Sequence, residues 1–345
     1  MSRLSPHKHP SYHLRPNKAV DRCIFVELLQ TLDLLRPLKD YVYIGFGGPF
    51  LEDFRLLAQT FPYLKLISIE ADEQTHERQR FHLCSSKMKV ENRTFKEFLA
   101  TGFPSDRPVI VWADYTDMRR ERLLEAADIA RLAMPWSVFR ITVKAENPIR
   151  SALDLMKPKR IPQHVPPKKE RDFRRIQKRY RDDWAVDGIS FDSAWFEWER
   201  FTDEGFPVLL RRMIERVIVG SCSRPKTFVP LHAVKYSDGT IMLSLTGIFC
   251  PDEDRENLLN HFKESCEFCG EGNGTIDEID VPVLTTKERL ALDKILPTRD
   301  RDGAMCFKEL GYLIEGDDSE SDSARKLQHF ERYYRLYPYF GKLVP

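Results

Sequence analysis

Between residues 41 and 145, short apolar runs alternate with stretches whose apolar residues recur at helical spacing. The runs are 41–45 (YVYIG), 64–70 (LKLISIE), 89–93, 108–113 (PVIVWA) and 136–145. Each has the length of a strand. Between the first two, Phe50, Phe54, Leu57 and Phe61 recur every three or four residues, which is helical. Parallel strands need a crossover connection, usually a helix, so this alternation predicts a doubly wound, mostly parallel α/β sheet. An amphipathic helix through Val20, Ile24, Leu28 and Leu32 precedes the first strand, and Pro37 stops it.

Beyond 145 the pattern breaks. Residues 146–204 are rich in Pro, Trp and charge, with little periodicity, and read as an insertion. Helical spacing returns over 207–219. Two apolar runs, 228–236 and 240–249, are joined by Ser237-Asp238-Gly239. Asp-Gly between two strands signals an antiparallel hairpin, because the tight turn needs positive φ. Helices then follow on both sides of a Cys- and Gly-rich loop. The expected organisation is an arm (1–18), an α/β domain (19–255) carrying the insertion, and a small C-terminal helical extension (256–345).

No apolar run approaches the length of a membrane span, and the N-terminal residues carry no apolar leader core, so no membrane role is expected. Seven scattered cysteines suggest reduced thiols and a cytoplasmic protein. The net charge of +1 hides a strongly basic stretch from Lys157 to Arg181, in which Glu170 and Asp172 are the only acids. Within it Arg171, Arg174, Arg175, Lys178 and Arg179 fall on one helical face, and Phe173, Ile176 and Tyr180 on another. That face could bind nucleic-acid phosphates, with nearby aromatics such as Trp184 and Trp195 available to stack bases. The bland alternative is a solvated face whose apolar side packs on the core.

The chemistry points to Gly45-Phe46-Gly47-Gly48-Pro49, between the first strand and the following helix. Glycines there permit positive φ and close approach of a ligand, and the helix start favours an anionic group. Glu70 ends the second strand, where a carboxylate can accept hydrogen bonds from ribose hydroxyls. These features suit a nucleoside-bearing cofactor without separating its kinds. Parallel strands followed by an antiparallel hairpin resemble the class I S-adenosylmethionine (SAM)-dependent methyltransferase family, over roughly residues 19–250. Its motifs are matched by residues 43–48, Ile69-Glu70, 92–95 and 112–117 (WADYTD). The resemblance implies a Rossmann-like fold and SAM as cofactor. It places Gly45, Gly47 and Gly48 beside the methionine moiety, Glu70 on the ribose and Asn92 near the adenine. It sets Asp114 and Tyr115 at the methyl-transfer site, with Asp114 or Asp117 as a base for an oxygen or nitrogen acceptor. Arg15 or Lys18, at the start of the first helix, is a further candidate for the SAM carboxylate. The acceptor would be a nucleic acid or a small molecule.

Two other readings stay open. Val42 or Tyr43 occupies the place of the first motif's usual acid. With the basic insertion and an aromatic tail, this suits a catalytically inactive, methyltransferase-like binding subunit of a larger complex. An NAD-type oxidoreductase is disfavoured, since no second catalytic domain is apparent. Phe330, Tyr333, Tyr334 and Tyr337 form a helical stripe, with Phe340 beyond, that would dock on its own domain or anchor a protein partner. His261, Cys266 and Cys269 make a sparse H-x4-C-x2-C pattern, for which free thiols are the expected reading and no metal is assigned.

Overall fold

The computed structural model describes residues 15–148, 167–197, 200–269, 274–314 and 317–338, with side chains in the second stretch described from Phe173 onward. It divides into two units by internal contact. The larger spans Leu29–Lys235 and Thr240–Asp277. The smaller takes the chain up to Leu28, Tyr236–Gly239, and Glu278 onward. This differs from the division read in the sequence, because the start of the first helix, α1 (Pro16–Leu35), groups with the C-terminal helices.

Runs of Val, Ile, Tyr and Trp favour pleated, buried backbone, and they form the strands of the larger unit. These are β1 (Val42–Gly45), β2 (Lys65–Glu70), β3 (Met88–Asn92), β4 (Val109–Asp114) and β5 (Val138–Lys144). Between them run α2 (Glu52–Thr60), α3 (Glu73–Phe81), α4 (Phe95–Thr101) and α5 (Arg120–Leu132). Then come α6 (Pro167–Lys178), α7 (Gly205–Ser221), the hairpin β6 (Lys226–Ser237) and β7 (Ile241–Pro251), and α8 (Arg255–Ser265). The strands lie in the order β3-β2-β1-β4-β5-β7-β6, parallel through β5. β7 pairs antiparallel with β5, from Val138↔Ile248 to Lys144↔Met242. The fold is therefore Rossmann-like, closed by an antiparallel hairpin. Strand order reverses between β1 and β4, which in such sheets puts the ligand crevice beyond their carboxyl ends.

One sheet face carries Val111, Ala113, Phe139, Ile141, Leu243 and Leu245 in a continuous apolar core, against which α4, α5 and α7 contribute Phe98, Ala127 and Leu210. The alternate residues are polar and fully buried. There Trp112 Nε1 donates to Thr142 Oγ1 at 3.1 Å, Thr142 and Ser244 share a 2.8 Å hydrogen bond, and Arg140 donates to Thr246 at 2.7 Å. The Arg140 guanidinium lies 4.7 Å from the Trp112 ring centre.

The insertion has its own packing. Phe173, Tyr180, Trp184, Phe191 and Phe196 are buried in the same core, with ring centres 4.2 Å apart for Tyr180–Trp184 and 5.3 Å for Phe173–Phe201. Each such side chain contributes about 1.5–3 kcal/mol through burial, which holds the stretch without regular periodicity. Arg174, Arg175, Lys178 and Arg179 are exposed. The basic and apolar faces thus separate as their spacing implies, while Trp184 is spent on packing and Trp195 is half-buried beside Phe191.

In the smaller unit, Pro16 opens α1 and the Asp238 carboxylate caps it, accepting from Lys18 N–H at 2.9 Å. An anion suits the positive end of a helix. Asn17 donates to Ser237 O at 2.9 Å and accepts from Val281 N–H at 2.8 Å. The unit also contains most of β8 (Asp277–Ile279), then α9 (Thr286–Asp293), α10 (Ala304–Leu310) and α11 (Glu320–Tyr333). The aromatic stripe is used internally. Phe330, Tyr333 and Tyr337 are buried. The Tyr337 hydroxyl accepts from Leu284 N–H at 3.0 Å and donates to Pro282 O at 2.9 Å. Phe340 lies outside the described residues, as does the basic stretch from Lys157 to 166.

Candidate functional site

The turn from β1 into α2 is the most constrained backbone at the switch point. Gly47 has φ +67° and Gly48 φ +53°, and Leu51, which heads α2, has φ +54°. A left-handed leucine costs roughly 1–3 kcal/mol, and such strain gathers at ligand sites. The two glycines serve different needs. A Cβ on Gly47 would stand 2.6 Å from Leu51 Cδ2, 2.8 Å from Phe54 Cε2 and 2.9 Å from Ser68 Oγ. A Cβ on Gly48 would meet nothing within 4 Å. Gly47 lets the turn press against the protein, and Gly48 borders open space. At Gly45 a Cβ would lie 2.8 Å from the Tyr43 hydroxyl, so that glycine makes room for a buried ring.

The neighbouring strand ends continue the row. Gly45 pairs with Ser68 in the β1–β2 register, which brings Glu70 to the next strand end. Glu70 is half-buried, and its Oε1 accepts from Asp72 N–H at 2.8 Å, which orients the carboxylate. Asn92 pairs with Glu70 across β2–β3 and donates its side-chain N–H to Glu70 O at 3.1 Å. At sheet spacing this row is about 10 Å across, a span suited to a nucleoside.

On the other side of the switch point, Gly45 pairs with Trp112, so Asp114 ends β4 level with the turn. Asp114 is half-buried. Tyr115 is buried, its ring 5.2 Å from that of Phe46, and its hydroxyl donates to Glu125 Oε2 at 2.6 Å. Burial pushes the Tyr115 phenol well above its ordinary pKa, and the Glu125 carboxylate adds to the shift. The phenol is therefore a held proton donor, unsuited to accept one. Arg122 lies 4.2 Å from the Tyr115 ring centre and bridges Asp117 at 3.0 Å and Glu125 at 3.3 Å. Asp117 also pairs with Arg119 at 2.5 Å. The structure thus gathers Gly47, Gly48, Glu70, Asn92 and Asp114 along one edge, and draws Tyr115 and Asp117 into an arginine-centred network beside it. Lys18 is buried within the smaller unit.

Sequence reasoning missed Gln79 of α3. It is fully buried and donates to both Phe46 O and Gly48 O at 2.9 Å. Its Oε1 accepts from the Ser68 hydroxyl at 2.8 Å. The three H-x4-C-x2-C residues do not come together as one group, although the two cysteines meet. His261 Nε2 bonds to Thr31 O at 2.9 Å, while burial and a thiol hydrogen bond with Cys266, the latter the larger cause, push Cys269 up. Among the described residues no group of three metal-ligating side chains comes together, and no helix is long and apolar enough to cross a membrane.

A family model described as "Putative O-methyltransferase" matches residues 10–344, nearly the whole chain. The chain belongs to that family. No curated protein matches it in sequence. Among solved structures, an O-methyltransferase family protein from Burkholderia thailandensis is similar at 14% identity and TM-score 0.32, over 70% of this chain and 61% of that one. A probable spermidine synthase from Corynebacterium glutamicum is similar at 12% identity and TM-score 0.33, over 39% of this chain and 50% of that one. Cofactor-bound Rv0187 from MTB is similar at 15% identity and TM-score 0.34, over 69% and 84%. The chain spans only about half to three-fifths of the first two. The assignment to a methyltransferase family rests on the sequence family and agrees with the strand order.

Proposed function

We propose that this methyltransferase binds SAM over the Gly47-Gly48 turn and methylates an oxygen acceptor. One observation carries the reading. Paired left-handed glycines, the second facing open space, stand one strand from Glu70 at the sheet's switch point. When bound, SAM supplies a methyl group on a sulfonium. The turn admits the methionine moiety close to the backbone, Glu70 accepts from the ribose hydroxyls, and Asn92 borders the adenine. Asp114, level with the turn, accepts the proton of the acceptor hydroxyl, which must be held in line with the methyl group. Two arginines hold the Asp117 carboxylate beside it. The family description favours oxygen over nitrogen. The exposed Arg174, Arg175, Lys178 and Arg179 support a polyanionic partner such as nucleic acid, bound through phosphates.

A second reading, a binding subunit without catalysis, draws support from the tied Tyr115 and Asp117. Calorimetric titration with SAM, repeated with Glu70→Ala, separates the two. We expect micromolar binding that the substitution weakens about tenfold, the loss of roughly 1.4 kcal/mol of hydrogen bonding. A folded protein that binds no SAM overturns the enzyme reading.

A further inference from the structure

We infer that Gln79 is a positioning residue that sets the cofactor turn in its ligand-binding shape, an inference that rests on the proposed SAM site. Three properties of Gln79 support it. The first is place. α3 is polar almost throughout, and its one large apolar residue, Phe81, is 86% exposed, while Gln79 is 0% exposed. The helix has turned an amide inward where an apolar residue would ordinarily pack.

The second is chemistry. A primary amide has two N–H donors and one carbonyl acceptor. Both donors go to the turn, to Phe46 O and Gly48 O at 2.9 Å, and the acceptor takes the Ser68 hydroxyl at 2.8 Å. Ser68 is itself fully buried on β2, with its hydroxyl also 3.2 Å from Phe46 O. The amide cannot be flipped, since its carbonyl would then face two carbonyls. A glutamate of the same shape cannot replace it at neutral pH for the same reason.

The third is the geometry this imposes. In a planar trans peptide, C=O and N–H point in opposite directions. Aiming Phe46 O at Gln79 turns the Gly47 N–H to the other side of the turn. Aiming Gly48 O at Gln79 fixes the peptide that leads into Pro49, which has no N–H. Gln79 thus holds the two peptide planes, 46–47 and 48–49, that flank the Gly47–Gly48 peptide, and it shares Phe46 O with the Gly48 N–H, which donates to it at 2.8 Å. Both glycines lack a Cβ and would otherwise rotate more freely than other residues. Gln79 touches the back of the turn and leaves its open side to the ligand.

The test is SAM titration of the full chain and of Gln79→Glu, Gln79→Leu and Ser68→Ala, each checked for folding by circular dichroism. Gln79→Glu should raise the SAM Kd roughly tenfold near neutral pH. A carboxyl facing two carbonyl oxygens resists ionisation. Lowering the pH from about 8 to about 6 should therefore restore one donor and shrink the variant-to-wild-type Kd ratio, whereas Gln79→Leu should show no such recovery. A residue that only supported the fold would give no pH-dependent rescue. Ser68→Ala, which frees the amide to rotate, should raise Kd roughly threefold and serves if the Gln79 variants do not fold. Folded variants that bind SAM as wild type does overturn the role of Gln79 alone. A wild-type protein that binds no SAM overturns the cofactor reading, and the Gln79 role with it.

Discussion

The two glycines of the turn can be told apart by adding one methyl group to each. Gly47→Ala and Gly48→Ala both place an alanine at positive φ, +67° and +53°. A left-handed conformation costs an L-residue about 1–2 kcal/mol, so that penalty is common to both. Only at Gly47 does the new carbon meet the protein, at 2.6 Å from Leu51 and 2.8 Å from Phe54. Forcing a methyl into packed surroundings adds about 1–3 kcal/mol. Gly47→Ala should thus lose about 2–5 kcal/mol and Gly48→Ala about 1–2 kcal/mol. Urea unfolding followed by tryptophan fluorescence, with the same probe for both variants, measures the difference. SAM affinity should follow a different order, because the Gly48 methyl enters the open side that the cofactor is proposed to occupy. Gly48→Ala should therefore lose most of its binding with the smaller of the two stability losses. Equal stability losses would refute the packing argument, and unchanged SAM binding by Gly48→Ala would refute the placement of the ligand.

Two further outcomes follow from the same geometry. Tyr115→Phe removes a 2.6 Å hydrogen bond to the Glu125 carboxylate inside a buried network. It should cost about 1.5–3 kcal/mol in urea unfolding, with SAM affinity changed less than about twofold. In the smaller unit, burial lowers the pKa of His329 below its ordinary 6.5, against the pull of Glu278 and Asp280. The unfolded chain then takes up this proton first as pH falls. The stability tied to His329 is present above about pH 6.5 and is lost as pH drops toward the folded value. His329→Gln should narrow the fall in urea midpoint between about pH 7.5 and about pH 5, and an equal fall in both proteins would refute the assignment.

The parallel sheet was legible because its strands are short apolar runs with periodic helices between them. All five lie within two residues of their predicted bounds, and the hairpin around Asp238-Gly239 forms as its turn chemistry requires. The turn at Gly47-Gly48 and the end of β2 at Glu70 were legible because strand ends carry local signals. Gln79 was not. In a helix reading EQTHERQRF, periodicity gives a buried glutamine no mark, and it makes Phe81 the apparent inward residue although it faces solvent. The insertion hid for a related reason. Beyond Tyr180, the side chains of Trp184, Phe191 and Phe196 pack as an irregular aromatic cluster, and clusters without a repeat escape any test based on period. Nor could local pattern reveal that Asp238 caps a helix 220 residues earlier in the chain.

That pairing of distant stretches has a consequence for how the chain is made. Asn17 receives its hydrogen bond from Val281, 264 positions later. Ribosomes add about 5–20 residues per second, so α1 emerges roughly ten to fifty seconds before that partner exists. For most of that interval its first turn has neither the Asp238 carboxylate nor the Val281 amide to hold it. In the larger unit, by contrast, each of β2 to β5 meets a parallel partner that has already been made, β4 reaching back to β1. Biosynthesis therefore delivers the first helix early to a place that is completed late, and a chaperone that holds nascent chains would meet it there.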